Sequence, residues 1–284
     1  MTDMSSGDVL LWLLIFWLGA AVGSFLNVVI YRLPRGMSLL RPRSHCPSCG
    51  TRLSARDLIP ILSWLVLRGR CRYCAHPVSV RYTVVELASA LLACASLYFW
   101  GPTIAALCCY AVCAALLVAC FVDLDHMIIP DQVHLVIAVA GVVMDIRWMV
   151  LRGVAGMVTL SEKVGAHTLT MAWPHSAVGA AMGAGIFLAI AYLAQLAFRK
   201  PALGMGDVKL GAAMGTVLGP GLHFVAFFLL ATVVGGLVGA GMLIASRGRG
   251  SHYIPFGPTL AVAGIAMTLA PEAVSGAVLA PFLV

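Results

Sequence analysis

Charge is what this chain has least of. Only 10% of its 284 residues are Asp, Glu, Lys or Arg, and just 11 are acids; a soluble domain carries about a quarter charged residues. With 61% hydrophobic residues, an ordinary soluble domain is excluded and a polytopic membrane protein is indicated. A cleavable signal peptide is also lacking. Met1 to Asp8 is neutral or acidic where such a signal is basic, and the apolar run that follows continues to Tyr31, too long for a signal core. There is no GxSxG nucleophile elbow, and no GxGxxG follows a strand. No aromatic-rich RNA-binding signature accompanies the basic residues, which argues against nucleic acid as a partner. Internal repeats and low-complexity segments are absent as well.

What is present is a series of apolar runs. They cover 9–31, 83–100, 103–122, 132–144, 174–198, 208–218, 222–245 and 255–284, with a polar loop at 145–173. About 20 helical residues cross a bilayer core, so these runs predict about eight transmembrane helices, 208–218 being short. The expected fold is an all-α polytopic membrane protein. Its first transmembrane helix is 1–31, a small zinc-binding loop domain is 32–82, and a membrane-embedded helical core is 83–284.

The few charges are unevenly placed. Arg32 to Arg81 holds 10 of the 18 basic residues and a single acid, Asp57. If that stretch is cytoplasmic, eight spans put Arg199, Lys200, Lys209, Arg247 and Arg249 on the same side, leaving Arg147, Arg152 and Lys163 opposite. The bias predicts both termini outside and places Asp123 and Asp207 at the cytoplasmic face, whose lipid boundary they share.

Nine cysteines fall into two groups. Cys94, Cys108, Cys109, Cys113 and Cys120 lie in apolar runs and read as packing. Cys46-Pro47-Ser48-Cys49 and Cys71-Arg72-Tyr73-Cys74 form two CxxC pairs with 21 residues between them. This is close to four-cysteine zinc spacing, in a loop too small to hold itself together easily. A reducing cytoplasm disfavours disulfides. Four thiolates close the metal's coordination sphere, so the expected role is structural; four unligated thiols are the alternative.

Two aspartates carry the candidate chemistry. Asp123 lies in Phe121-Val122-Asp123-Leu124-Asp125, and Asp207 in Gly204-Met205-Gly206-Asp207-Val208-Lys209, each after a long apolar run. A carboxylate at a membrane boundary is costly and tends to mark function. Two close carboxylates do not easily both ionise, so one can activate water while the other polarises a scissile carbonyl. Gly204 and Gly206 leave room for a substrate backbone at Asp207. The structural alternative is helix capping, or pairing with Lys209 and Arg199. Asp125 points to another helix face than Asp123. Asp131, after Pro130 and before an apolar run, reads as a helix N-cap. Asp125 and Asp131 can also attract a basic peptide, with Glu86 receiving an amino terminus.

At these residues the chain resembles the type 4 prepilin peptidases, bifunctional leader peptidases and N-methyltransferases of bacterial inner membranes. The resemblance runs from Gly23-Ser24-Phe25-Leu26-Asn27 through the CxxC pairs, Arg81-Tyr82-Thr83-Val84-Val85-Glu86 and both aspartate motifs to Ile254-Pro255-Phe256-Gly257-Pro258. It implies a GxGD aspartic protease with Asp123 and Asp207 as its catalytic pair. It implies cleavage of prepilins and type II secretion pseudopilins after a glycine, then methylation of the new N-terminus by S-adenosylmethionine. The four loop cysteines match those of the bifunctional members. A peptidase without methyl transfer is one rival reading; a proton-coupled transporter or pilus assembly scaffold is another.

Overall fold

The computed structural model describes residues 6–152, 158–164, 167–199, 203–245 and 255–282. They form two compact units that divide after Pro102.

In the first unit, α1 (Ser6–Arg32) packs on α3 (Arg81–Trp100). Gly19 and Gly23 sit against the α3 backbone: a Cβ on Gly23 would come within 2.7 Å of the Glu86 Cα. The GxxxG spacing is thus a helix-packing device. α3, which the run pattern groups with the later helices, shares a unit with α1 and the cysteine loop. That loop holds only two short helical turns and α2 (Leu62–Val66). Buried Arg32 folds its beginning over, donating to the Ser38 carbonyl at 2.9 Å and the Pro42 carbonyl at 2.7 Å.

The second unit contains α4 (Ile104–His126), α5 (Asp131–Arg152), the hairpin β1 (Val158–Val164) and β2 (His167–Trp173), α6 (His175–Phe198), α7 (Met205–Leu218), α8 (Leu222–Ala245), α9 (Gly257–Leu269) and α10 (Pro271–Leu279). α4 is its centre and packs on α5 and α9. Cys109, Val112, Cys113, Leu116 and Val122 on α4 have no exposed surface, so Cys109 and Cys113 do behave as small core residues.

Among the described residues, six helices are long and apolar enough to cross a membrane: α1, α3, α4, α5, α6 and α8. The last apolar run is not one straight span, because α9 and α10 bend by 118° at Ala270-Pro271; counted together they make a seventh. α7 has 14 residues, about 21 Å of helix, and falls short of a bilayer core of about 30 Å. It is held inside the unit instead. Gly211 and Gly215 let it meet Gly183 and Gly179 of α6 backbone to backbone, and Thr216 fills the space beside Gly141 of α5.

The segment expected to be a polar loop from Asp145 is helix as far as Arg152, followed by the hairpin. Asp145 looks like a loop residue in sequence, but its Oδ2 accepts from the Ser176 amide at 2.9 Å and the Ser176 hydroxyl at 2.6 Å. It satisfies the first turn of α6 from a neighbouring helix, which is how a buried carboxylate is tolerated there.

Candidate active site and cysteine cluster

The chain first loses helical geometry after Asp123 for a local reason. Met127 takes a left-handed conformation and its amide closes on the Asp123 carbonyl at 2.9 Å. Pro130 then excludes further helix, and α5 begins at Asp131. Asp123 therefore stands one turn from the end of α4. On α7, Gly204 is the N-cap and Asp207 lies in the first turn, where a carboxylate complements the helix dipole. Gly206 lets this turn approach the α4–α5 connection, since a Cβ there would lie 3.4 Å from the Ile129 Cβ.

These two helix ends bring Asp123 and Asp207 close enough for their carboxylates to act on each other electrostatically. Asp123 is 6% exposed, and its Oδ2 accepts from the Gly257 amide at 2.9 Å. Asp207 is half-buried. Gly257 opens α9, and a Cβ on it would lie 2.5 Å from the Asp123 Oδ2. Glycine is thus required for the amide to reach the carboxylate. In the sequence Gly257 is marked only by a Gly-Pro step before an apolar run, which does not by itself reveal a backbone donor. Ile254 of the same motif lies outside the described residues.

The remaining acids separate from this pair. Lys209 does not neutralise Asp207; its Nζ binds the Asp131 carboxylate at 2.7 Å. The His134 Nδ1 lies 3.6 Å from the same oxygen. Asp131 starts α5, and the bridge ties that start to α7. Asp125 is exposed. In the first unit, Glu86 is buried and its Oε2 accepts from the Ile61 amide at 2.7 Å, fixing the loop to α3.

The four loop cysteines converge: all four Sγ atoms lie within 4.8 Å of one another. Cys46 and Cys74 sulfurs are 3.9 Å apart, where ligands about 2.3 Å from a tetrahedral zinc would be about 3.8 Å apart. The two pairs are built alike. Gly50 and Ala75, both with positive φ, donate to the carbonyls of Cys46 and Cys71 at 2.9 Å. The Cys46 amide closes on Thr51 and the Cys71 amide on His76. Amides of Cys49 and Ser48 pull the Cys46 thiol below its usual range, and those of Tyr73 and Cys74 do the same for Cys71. Against the pull of the His76 amide, burial and hydrogen bonds from Cys71, Cys49 and Cys46 push Cys74 up to about 12. The Thr51 hydroxyl lowers the Cys49 thiol, and three acidic thiols with one reluctant one form a set whose crowded charge a divalent cation relieves. The donor set therefore fits a metal.

Asp57 braces this cluster. It accepts from Arg72 Nε at 2.6 Å, the Tyr73 hydroxyl at 2.9 Å and the Ser54 amide and hydroxyl at 3.0 and 2.8 Å. Burial works to raise its pKa, but these donors hold it well below the usual carboxylate range.

A helical polytopic membrane protein with a carboxylate pair between two helix ends is the class that fold and site define. The comparisons agree. Residues 17–100 match the bacterial peptidase A24 N-terminal domain, and residues 110–240 match the type IV leader peptidase family. The chain is 35% identical over 276 residues to the prepilin leader peptidase/N-methyltransferase of Aeromonas hydrophila, covering 88% of each. It is 35% identical over 275 residues to the protein of that name in Burkholderia pseudomallei strain 1026b, covering 88% of this chain and 82% of the relative. It is 36% identical over 266 residues to an Escherichia coli type 4 prepilin-like proteins leader peptide-processing enzyme, covering 87% and 90%. No solved structure matches. The chain belongs to the type IV leader peptidase family.

Proposed function

We propose that this chain removes the basic leader of type 4 prepilins and type II secretion pseudopilins at the cytoplasmic face of the bacterial inner membrane, and then N-methylates the new terminus. The bifunctional names of its relatives support both activities. The observation that carries the peptidase assignment is buried Asp123, held by Gly257 and within electrostatic reach of Asp207.

Cleavage then follows from a pair sharing one proton. The ionised carboxylate takes a proton from a water, whose oxygen attacks the scissile carbonyl carbon. The protonated partner gives its proton to the carbonyl oxygen, forming a neutral gem-diol. The peptide C–N bond breaks as the diol returns a proton and the leaving nitrogen gains one. The Gly257 amide holds one carboxylate in register; the titration belongs to the pair.

The same reading assigns zinc to Cys46, Cys49, Cys71 and Cys74 as a structural ion. S-adenosylmethionine supplies the methyl group when bound. The asymmetry of basic residues supports termini outside and the cleavage site inside. Gly204 admits substrate backbone beside Asp207. Asp125 and Asp131 draw the basic leader, Asp131 in competition with Lys209, while a new amino terminus at Glu86 competes with the Ile61 amide. Incubating the purified chain with a prepilin and S-adenosylmethionine tests the whole assignment: a shortened, methylated product supports it, and an intact prepilin rejects it.

A further inference from the structure

A cavity of about 670 Å³ opens in the first unit, away from the cysteine sulfurs. Phe25, Val28 and Arg32 of α1 form one wall; Arg43, Arg52 and Leu40 are among the loop residues opposite. Its charge is one-sided. Among the described residues, three arginines line it and no carboxylate does. Arg32 is spent on two neutral carbonyls, which leave its charge unbalanced. Arg43 and Arg52 are exposed, on two chain segments joined by the Leu53 amide to the Ser44 carbonyl at 3.0 Å. The loop's own acid, Asp57, is committed to Arg72, Ser54 and Tyr73.

The cavity also straddles a boundary. Phe25 and Val28 belong to an apolar span that ends at Arg35, so Phe25 lies about 15 Å along the helix from that end. Phe25 is 48% exposed and Leu40 83% exposed. The apolar wall thus stands at acyl-chain depth and the arginines at headgroup level, the arrangement in which basic pockets take anionic lipid.

We infer that this cavity seats an anionic phospholipid, its phosphate between Arg43 and Arg52 and an acyl chain along Phe25 and Val28. The alternatives fit its chemistry less well. A methyl donor is a sulfonium cation, and a prepilin leader is basic; three arginines repel both. Free phosphate has no use for the apolar wall.

Native mass spectrometry of the full chain in nonionic detergent, titrated with phosphatidylglycerol and with phosphatidylcholine of the same acyl chains, tests the inference. Each arginine is worth about fivefold in affinity near such a headgroup. Phosphatidylglycerol should bind wild type well ahead of phosphatidylcholine. Arg43→Gln with Arg52→Gln should lose about 25-fold for phosphatidylglycerol alone, while Arg43→Lys with Arg52→Lys keeps most of it. Metal content checks that the loop of each variant is intact. Equal binding of both lipids, or undiminished phosphatidylglycerol binding by the Gln variant, overturns the inference. So does full displacement of the lipid by inorganic phosphate or by S-adenosylmethionine, which would give the cavity to a soluble ligand.

Discussion

The cysteine cluster and the aspartate pair are assembled by opposite means. Each cysteine knuckle is made within six residues, by a left-handed residue and two backbone hydrogen bonds. The aspartate pair needs α4, α7 and α9, whose ends meet only because glycines let helices approach and the left-handed Met127 ends one of them. A local device tolerates damage at a distance; a long-range one fails when any of its helices shifts. The contrast predicts that small changes around Asp123 should cost more than equally small changes in the loop.

The largest effect should come from the acids. Asp123→Asn removes a group that must take or give a proton, and should lower the prepilin cleavage rate by at least 10²–10⁴-fold in a purified-enzyme assay. Next is Gly257→Ala. Its methyl group has no room beside the Asp123 Oδ2, so either the helix or the carboxylate must move. A displacement of about 1 Å can cost about 10²-fold, read as a fall in kcat with membrane insertion unchanged. Cleavage at the wild-type rate by this variant would show that the long-range contact does not position the pair.

In the loop, Cys71→Ser with Cys74→Ser should abolish bound metal, from one zinc per chain to none, by elemental analysis. Acid should act through Asp57 as well. Its lowered pKa means its contribution to loop stability is complete above the ordinary carboxylate range and is lost only as pH falls through its folded value. Loop stability, followed by tryptophan fluorescence, should therefore be flat across neutral pH and fall below about 4; the loop of Asp57→Asn should unfold more easily at pH 7. The smallest effect is Ala75→Gly. Ala75 has φ 55° where the matching knuckle has Gly50, so glycine should stabilise the loop by up to about 1 kcal/mol. Destabilisation instead would mean that the two knuckles are not equivalent.

A further comparison concerns leader charge. Asp131 is bridged to Lys209, and exposed pairs of this kind are worth about 0–1 kcal/mol. Neutralising the leader's basic residues should slow cleavage less in an Asp125→Asn, Asp131→Asn double variant than in wild type, with both differences shrinking as salt rises. Full additivity would remove these acids from leader recognition.

Composition makes the membrane class legible, and CxxC spacing makes the cysteine cluster legible, because both signals are local. Asp123 and Asp207 stood out as carboxylates beside apolar runs, yet their meeting depends on three helices that no spacing reveals. Gly257 was unreadable for the same reason: its donor is a backbone amide, which every residue but proline has. Asp145 misled because a polar residue late in an apolar run looks like an exit from the membrane. Its partner Ser176 lies beyond a hairpin, so the cap it forms is visible only after folding. The bent α9–α10 pair was hidden because Pro271 sits in a run apolar on both sides.

The most direct test uses one preparation and two substrates. Purified Asp207→Asn protein is given an intact prepilin and, separately, a pilin already lacking its leader, each with S-adenosylmethionine and mass-spectrometric readout. The account predicts that the intact prepilin is left uncut while the pre-cut pilin is methylated at close to the wild-type rate. Cleavage of the intact prepilin at the wild-type rate would contradict the central claim that Asp207 and Asp123 form the hydrolytic pair.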